Sequence, residues 1–413
     1  MGHRHLAGLA ELHQAGLNEF ELVGACDIVR DNAESLAKKA EEHFGEEPTV
    51  VGSLQELEKL WVESVDITTT PKHHHTVAAE ALRRGWHVMV EKPLGLTVHA
   101  CNIIRKATEQ SSKVLSVAEN YRRDPINRLA KALLEANVIG SPRLLLHNSI
   151  GGADQMMISV WRHQKNQGGV LLDVGVHFAD MMEYLLGNVS CVYAQTRLHE
   201  RVRRNPAALG SPGVDPAGAY ERWQKKMPSE FETTAEDATY ATVLFENGVV
   251  GQYIEDHAGH GQPIWQRMIF GSSGSLQLPN DRSGVPIVLK LDNKEPISDE
   301  RILDLAPSFL LDRATAKLFG GERLWHYNFP FTETDRKIIA IEFADFAGAI
   351  VGRKPQDVDA YQGTRSVALS YAMLESGALG RTVTVDEVIN EKVDQYQSEI
   401  NESLGLKRTG RKG

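Results

Sequence analysis

The stretch "VDITTTPKHHHTVAAEALRRGWHVMVEKP" (residues 65–93) changes its hydrophobic period twice. "VDITTTP" (65–71) reads as a buried strand that ends at a proline turn. "HTVAAEALRRG" reads as a helix, and "WHVMVEKP" (86–93) as a second strand. A strand, a helix and a strand in that order predict a right-handed βαβ unit in a parallel sheet.

The alternation extends in both directions. "FELVGACDI" (20–28) is a buried-strand run. "DNAESLAKKAEEHF" (31–44) spaces Leu36, Ala37, Ala40 and Phe44 as a helix does, with Asp31 as its N-cap. Downstream come the helix "TVHACNIIRKATEQ", the strand "KVLSVAENYR" (113–122) and the helix "DPINRLAKALLEAN" (124–137), opened by Asp124 and Pro125. The style then changes. "PRLLLHNSI", "SCVYAQTRL", "ATYATVLFENGVVGQYIEDH" and "RMIFGSSGSLQL" are strand-rich, with a turn at Glu246-Asn247-Gly248, and predict an antiparallel sheet. Helices around 333–351 and 361–379 are expected to cover one face of it. The segment "RRNPAALGSPGVDPAGAY" (203–220) reads as an ordered insertion or lid, and the tail "KRTGRKG" as frayed. The predicted layout is a parallel α/β domain over 1–123 and an α+β domain over 124–413.

Composition narrows the partners. The 413 residues are 42% hydrophobic and 24% charged, as in a globular protein with a core. A net charge of −10 argues against nucleic acid. Cys26, Cys101 and Cys191 are scattered and odd in number, which fits reduced thiols. No apolar run reaches the ~18–20 residues that cross a bilayer. A cytoplasmic protein with no membrane partner is expected.

The opening "MGHRHLAGLAEL" starts at once as a helix, with Leu6, Leu9 and Leu12 on one face. A dinucleotide-binding domain begins with a strand and a G-x-G-x-x-G turn whose glycines admit a pyrophosphate to a helix N-terminus. Gly2 matches the last of those glycines. Asp27, at the end of "LVGACD", matches the acid that holds the ribose hydroxyls of NAD. The alternative is that Gly2 stands there by chance and Asp27 caps a helix.

"EKP" (91–93) stands at a strand's carboxyl end, where open α/β sheets bind ligands. "GGVLLDVGVHFADMMEYLLG" (168–187) opens with glycines and continues as a helix, which would place Asp173 and His177 on one face. With "TTTPKHHHT" and "ENYRRDP", in this order along the whole chain, the sequence resembles the glucose–fructose oxidoreductase, inositol dehydrogenase and rhizopine-catabolism (Gfo/Idh/MocA) family. It departs from the pattern at Gln167, where a third glycine often stands. The resemblance implies an N-terminal Rossmann domain and a C-terminal domain with an open-faced, mostly antiparallel sheet covered by helices. It also implies a native start roughly ten residues upstream, one strand and its glycine turn. Without them the neighbouring strands would lack ladder partners and NAD binding would weaken.

Oxidising a hydroxyl needs a base, and imidazole titrates close to working pH. His177 is the candidate base. Asp173 orients it or grips a sugar hydroxyl, and Lys92 stabilises the developing alkoxide. The resemblance puts these three at the family's catalytic positions and allows Lys92–Pro93 to be cis. It places Thr70, Pro71 and His75, with Gly2, Asp27, Glu91 and Lys92, along the cofactor cleft. It places Tyr121, Arg122, Trp161 and Arg162 toward substrate, where rings and fixed donors suit sugars. Adjacent histidines in "KHHH" cannot easily converge on one ion, so no metal is expected. Arg30 could hold a 2′-phosphate, but Asp27 would repel it, so NAD is expected over NADP. The predicted function is an NAD-dependent oxidoreductase of a sugar, polyol or sugar derivative. The alternatives are an NAD-dependent glycosidase acting through transient oxidation and a non-catalytic NAD-binding regulator. By resemblance, a homodimer or homotetramer is expected.

Overall fold

The protein's structure is a computed structural model that describes residues 1–213 and 220–406. Part of the 203–220 insertion and the tail "KRTGRKG" lie outside the described residues. Helix α1 (Gly2–Gln14) turns Leu6, Leu9 and Leu12 inward, as their spacing requires. Strand and helix then alternate: β1 (Gly24–Cys26), α2 (Arg30–Phe44), β2 (Thr49–Val51), β3 (Ser64–Ile67), α3 (Pro71–Arg83), β4 (His87–Glu91), α4 (Val98–Ser111), β5 (Leu115–Ala118) and α5 (Pro125–Glu135). Strands β3, β4 and β5 form one parallel ladder, with Ser64 opposite His87 and Val88 opposite Leu115. Strands β1 and β2 form another, with Gly24 opposite Thr49. Among the described residues no ladder joins β1 to β3, so the parallel sheet is in two pieces.

The apolar run of β4 is the floor of the core. Val88, Met89 and Val90 are fully buried, each worth about 1.5–3 kcal/mol against exposure. Helix starts follow local chemistry. Asp124 accepts from the Ile126 N–H at 3.0 Å ahead of Pro125, as expected for α5. For α2 the cap differs from expectation. Val29 is the N-cap, Asp31 lies inside the first turn, and Asp27 accepts the Val29 N–H at 2.8 Å. Asp27 stands at the end of a strand, where its carboxylate reaches two residues ahead.

The second half contains β6 (Pro142–Gly152), α6 (Gly175–Leu186), β7 (Val189–Arg197), β8 (Val202–Arg204), β9 (Glu230–Glu232), β10 (Ala238–Phe245), β11 (Val250–Gly259), β12 (Ile264–Gly271), β13 (Gly274–Leu278), β14 (Val288–Leu291), α7 (Phe331–Ile350), α8 (Ala360–Leu379) and β15 (Val383–Thr384). Eight of these strands make one sheet in the order β14-β13-β12-β6-β11-β10-β7-β15. All neighbours are antiparallel except β6 and β11. Strands β8 and β9 pair separately within and after the insertion.

Helix α8 covers this sheet, lying on β7 and α6, as expected. Helix α7 does not. It packs against α1, and in the segment after α1 Phe20 stacks on Phe346 at 5.8 Å and meets Phe343 edge-on at 5.9 Å. Its run "IIAIEFADFAGAI" is apolar almost all round, and Gly8 of α1 allows the two backbones to approach. Among the described residues no helix is long and apolar enough to cross a membrane.

Candidate active site

Strands β3, β4 and β5 end side by side, and each delivers polar residues to one crevice, as open parallel sheets do. The end of β3 supplies Thr68, Thr69 and Thr70, that of β4 supplies Glu91 and Lys92, and that of β5 supplies Asn120 and Tyr121. The opposite wall brings Trp161, Arg162, Asp173 and His177, and the space between is about 240 Å³. Lys92–Pro93 is a cis peptide. The fully buried His74 ring fixes this turn, with Nδ1 2.8 Å from the Pro93 carbonyl and Nε2 3.0 Å from that of Thr69. One histidine of "KHHH" therefore ties the β4 turn to β3.

Asp173 and His177 do not share one continuous helix, contrary to expectation. A short turn, Val170–Asp173, stops at Val174 before α6 begins. Gly168 and Gly169 have φ of +104° and +71°, a backbone that favours glycine. The break gives the two side chains different partners. The Lys92 Nζ donates to the Asp173 carbonyl at 2.7 Å and to its Oδ1 at 3.1 Å. The Arg162 Nε donates to Asp173 Oδ2 at 2.5 Å. Burial raises the Asp173 pKa, but Arg162 and Lys92 outweigh burial and hold the carboxyl well below its usual range.

His177 is oriented by a residue the sequence reading missed. Its Nδ1 lies 2.7 and 2.8 Å from the two carboxylate oxygens of buried Glu119. Burial raises the Glu119 pKa, yet the charge and hydrogen bond of His177 leave it below the usual value. Tyr121 stacks on the imidazole, with centroids 4.2 Å apart and planes within 7°. The available signal was an acid at the carboxyl end of a strand, in "SVAENYR". A second missed residue is His5, with Nδ1 2.9 Å from Asp66 and Nε2 3.0 Å from Glu91. Glu91 also accepts the Lys92 N–H at 2.9 Å, so its carboxylate braces the turn.

The other expected residues divide. Thr70, Pro71, Glu91, Lys92, Tyr121, Trp161 and Arg162 line the cleft. Trp161 lies under the Arg162 guanidinium at 4.5 Å. Arg122 does not line it. Its Nε and Nη2 grip Asp180 at 2.8 and 2.5 Å and Nη1 donates to the Asp357 carbonyl at 2.9 Å, so it is a buried structural ion pair. His75 is packed into the interior by α3 and also stays out of the cleft. Gly2 opens α1 beside the cleft; a Cβ there would come within 3.0 Å of Leu36 Cδ1. Asp27 is apart from it, at the end of β1. Arg4, Ile158, Tyr220, Arg282 and Phe331 line the cleft without having been expected.

Two family models cover this architecture. The oxidoreductase-family NAD-binding Rossmann fold matches residues 1–119, and the oxidoreductase-family C-terminal alpha/beta domain matches residues 131–385. The chain belongs to the Gfo/Idh/MocA oxidoreductase family. It is 29% identical over 265 residues to levoglucosan dehydrogenase of Pseudarthrobacter phenanthrenivorans, covering 62% of this chain and 65% of that one. It is 30% identical over 187 residues to glucose-6-phosphate 3-dehydrogenase of Bacillus subtilis, covering 43% and 51%. The match thus spans between half and two thirds of these curated relatives. Among solved structures, a levoglucosan dehydrogenase in complex with NADH superposes with a TM-score of 0.70 at 22% identity, covering 93% of this chain and 96% of that one. An oxidoreductase domain protein of Kribbella flavida gives 0.72 at 20%, with coverage of 93% and 96%. These likenesses establish the fold.

Proposed function

We propose that this family member is an NAD-dependent dehydrogenase that oxidises a secondary hydroxyl of a sugar, polyol or sugar derivative. The observation that carries this reading is the Glu119–His177 pair opening onto the same cleft as Lys92. The cleft's residues fit a dinucleotide. Gly2 leaves the first turn of α1 without a side chain, and Asn120 holds a buried Oδ1 that meets no donor among the described residues. That oxygen suits a carboxamide N–H.

A bound nicotinamide supplies the hydride acceptor. The protein's part is to hold the alcohol and take its proton. Glu119 accepts from the Nδ1–H of His177, which leaves Nε2 as the unprotonated base and steadies the imidazolium once formed. The Lys92 ammonium faces the oxygen that gains charge. Asp173, ionised by Arg162 and Lys92, accepts from a substrate hydroxyl. Thr70 and Pro71 contact the cofactor, Tyr121 and Trp161 offer ring faces to the sugar, and Asp27 disfavours a 2′-phosphate and so selects NAD over NADP.

The relatives named above support hydroxyl oxidation, and nothing in the comparisons supports the glycosidase or regulator alternatives. We take Asp124 as the junction between cofactor and substrate domains. The open sheet face, where Tyr193 and Leu244 are exposed, would join subunits of a dimer or tetramer. Three unpaired cysteines support a reducing, cytoplasmic setting. The test is NADH formation over a panel of sugars and polyols, with calorimetry of NAD binding. His177→Ala should lose about 10²–10⁴-fold in rate. Absence of both NAD binding and turnover in the wild type would overturn the reading.

A further inference from the structure

The charges in the cleft do not balance, and the excess has an address. Arg4, Lys92, Arg162 and Arg282 line it against two carboxylates, Glu91 and Asp173. Asp173 already serves Lys92 and Arg162, and Glu91 serves His5. Arg4 and Arg282 share Asp335, just behind the wall. Arg4 grips it through Nε and Nη2, at 2.9 and 2.5 Å. Arg282 reaches it only through Nη1, at 3.1 Å.

The Nε/Nη2 edge of Arg282 therefore meets no acceptor among the described residues, and its Nε is buried. That edge is the fork by which Arg4 holds Asp335, Arg122 holds Asp180 and Arg365 holds Glu183 in this same molecule. The guanidinium lies 5.0 Å from the Tyr121 ring and 4.8 Å from that of Phe331, and such flanking rings leave the in-plane N–H groups as its means of recognition. Its backbone has φ of +62°, uncommon for arginine, and is pinned by a 2.6 Å bond from its N–H to Asp124 Oδ2. Tyr121 in turn stacks on His177, so this fork stands one ring from the base. A dinucleotide bound in this fold would have its phosphates held by the N–H groups of the first turn of α1. Arg282 comes instead from the loop between β13 and β14.

We propose that Arg282 is an anion subsite for substrate, and that the sugar or polyol oxidised here carries a carboxylate or a phosphate. This rests on the dehydrogenase reading above, whose substrate class it narrows. The experiment compares a hexose, its hexuronate, the neutral hexuronamide and the hexose 6-phosphate as substrates with NAD. At least one anionic substrate should exceed the hexose and the amide in kcat/KM by about tenfold or more, and the better of the two identifies the anion. In Arg282→Gln the ratio of anionic to neutral turnover should fall about 10–100-fold. Arg282→Lys should not restore it, because an ammonium lacks the fork. No advantage of either the hexuronate or the hexose 6-phosphate over the hexose and the amide in the wild type, or a ratio indifferent to Arg282→Gln, would overturn the subsite. Calorimetry with the hexuronate and with the hexose 6-phosphate separates the two claims. If no sugar is oxidised yet an anion binds the wild type and not Arg282→Gln, the subsite stands and the dehydrogenase reading falls.

Discussion

At the scale of single residues, the site is set by which buried carboxyls keep their protons. Glu119 is held ionised against His177, and its loss should act on turnover more than on binding. Glu119→Gln is expected to lower kcat by about 10²–10³-fold with KM changed far less, and Glu119→Asp to recover part of it. Equal losses in both parameters would point to a collapsed cleft instead. Glu342, on α7, is the opposite case. It is 1% exposed, its Oε1 has no partner among the described residues, and burial pushes it up to about 8 despite the charges of Arg123 and His5, with Glu91 and Glu119 adding to the rise. A carboxyl raised above its unfolded value of 4.5 contributes stability below that pH and loses it as pH rises through about 8. Glu342→Gln, neutral throughout, should therefore melt higher than the wild type, by a margin that widens between about pH 5 and pH 9. Calorimetric melts across that range check it, and a margin independent of pH would refute it.

At the scale of elements, the crossing of α1 and α7 depends on one missing side chain. A Cβ on Gly8 would lie 2.4 Å from Ile339 Cγ2 and 3.2 Å from the Ala340 nitrogen, so one helix would have to move. Gly8→Ala is expected to cost about 1–3 kcal/mol in urea unfolding, despite alanine's better helix propensity. A neutral or stabilised variant would show that the helices can separate freely. Most elements here were legible because each carries its own period. The runs at 65–71 and 86–93 flank the helix at 71–83 as the sequence suggested, and Asp124-Pro125 marked a helix start correctly. The destination of α7 was not legible. A helix apolar on nearly every side has no stripe to say which neighbour it wants. The break at Val174 was hidden for a different reason. Gly175 lets α6 come so close to β11 that an added Cβ would lie 2.7 Å from Glu255 Oε2, a contact with no local sequence signal.

At the scale of the whole molecule, motifs named Lys92, Asp173 and His177, but spacing could not supply their partners. Glu119 and His177 are 58 positions apart, and His5 and Glu91 are 86 apart. Only the folded topology joins them. The second of these pairings ties three elements together, because His5 of α1 sits between Asp66 of β3 and Glu91 of β4. Burial disfavours the charged ring, but Asp66 and Glu91 outweigh it and raise His5 to about 10 from 6.5. Burial also disfavours the Glu91 charge, yet His5 lowers it to about 2 from 4.5. The contribution of His5 is full below about pH 6.5 and lost as pH rises through about 10. That of Glu91 is full above about 4.5 and lost as pH falls through about 2. Both hold in the window between, so the clamp should fail first on the alkaline side of neutrality. Replacing one member leaves buried charge unpaired, so His5→Phe should lose about 3–5 kcal/mol near pH 6. The same variant should decline less steeply than the wild type toward pH 10, since it has no proton to lose there. Urea midpoints at a series of pH values decide the matter. Parallel curves for the two proteins would mean that the alkaline loss arises elsewhere, while converging curves would place it at the junction of α1 with the parallel strands.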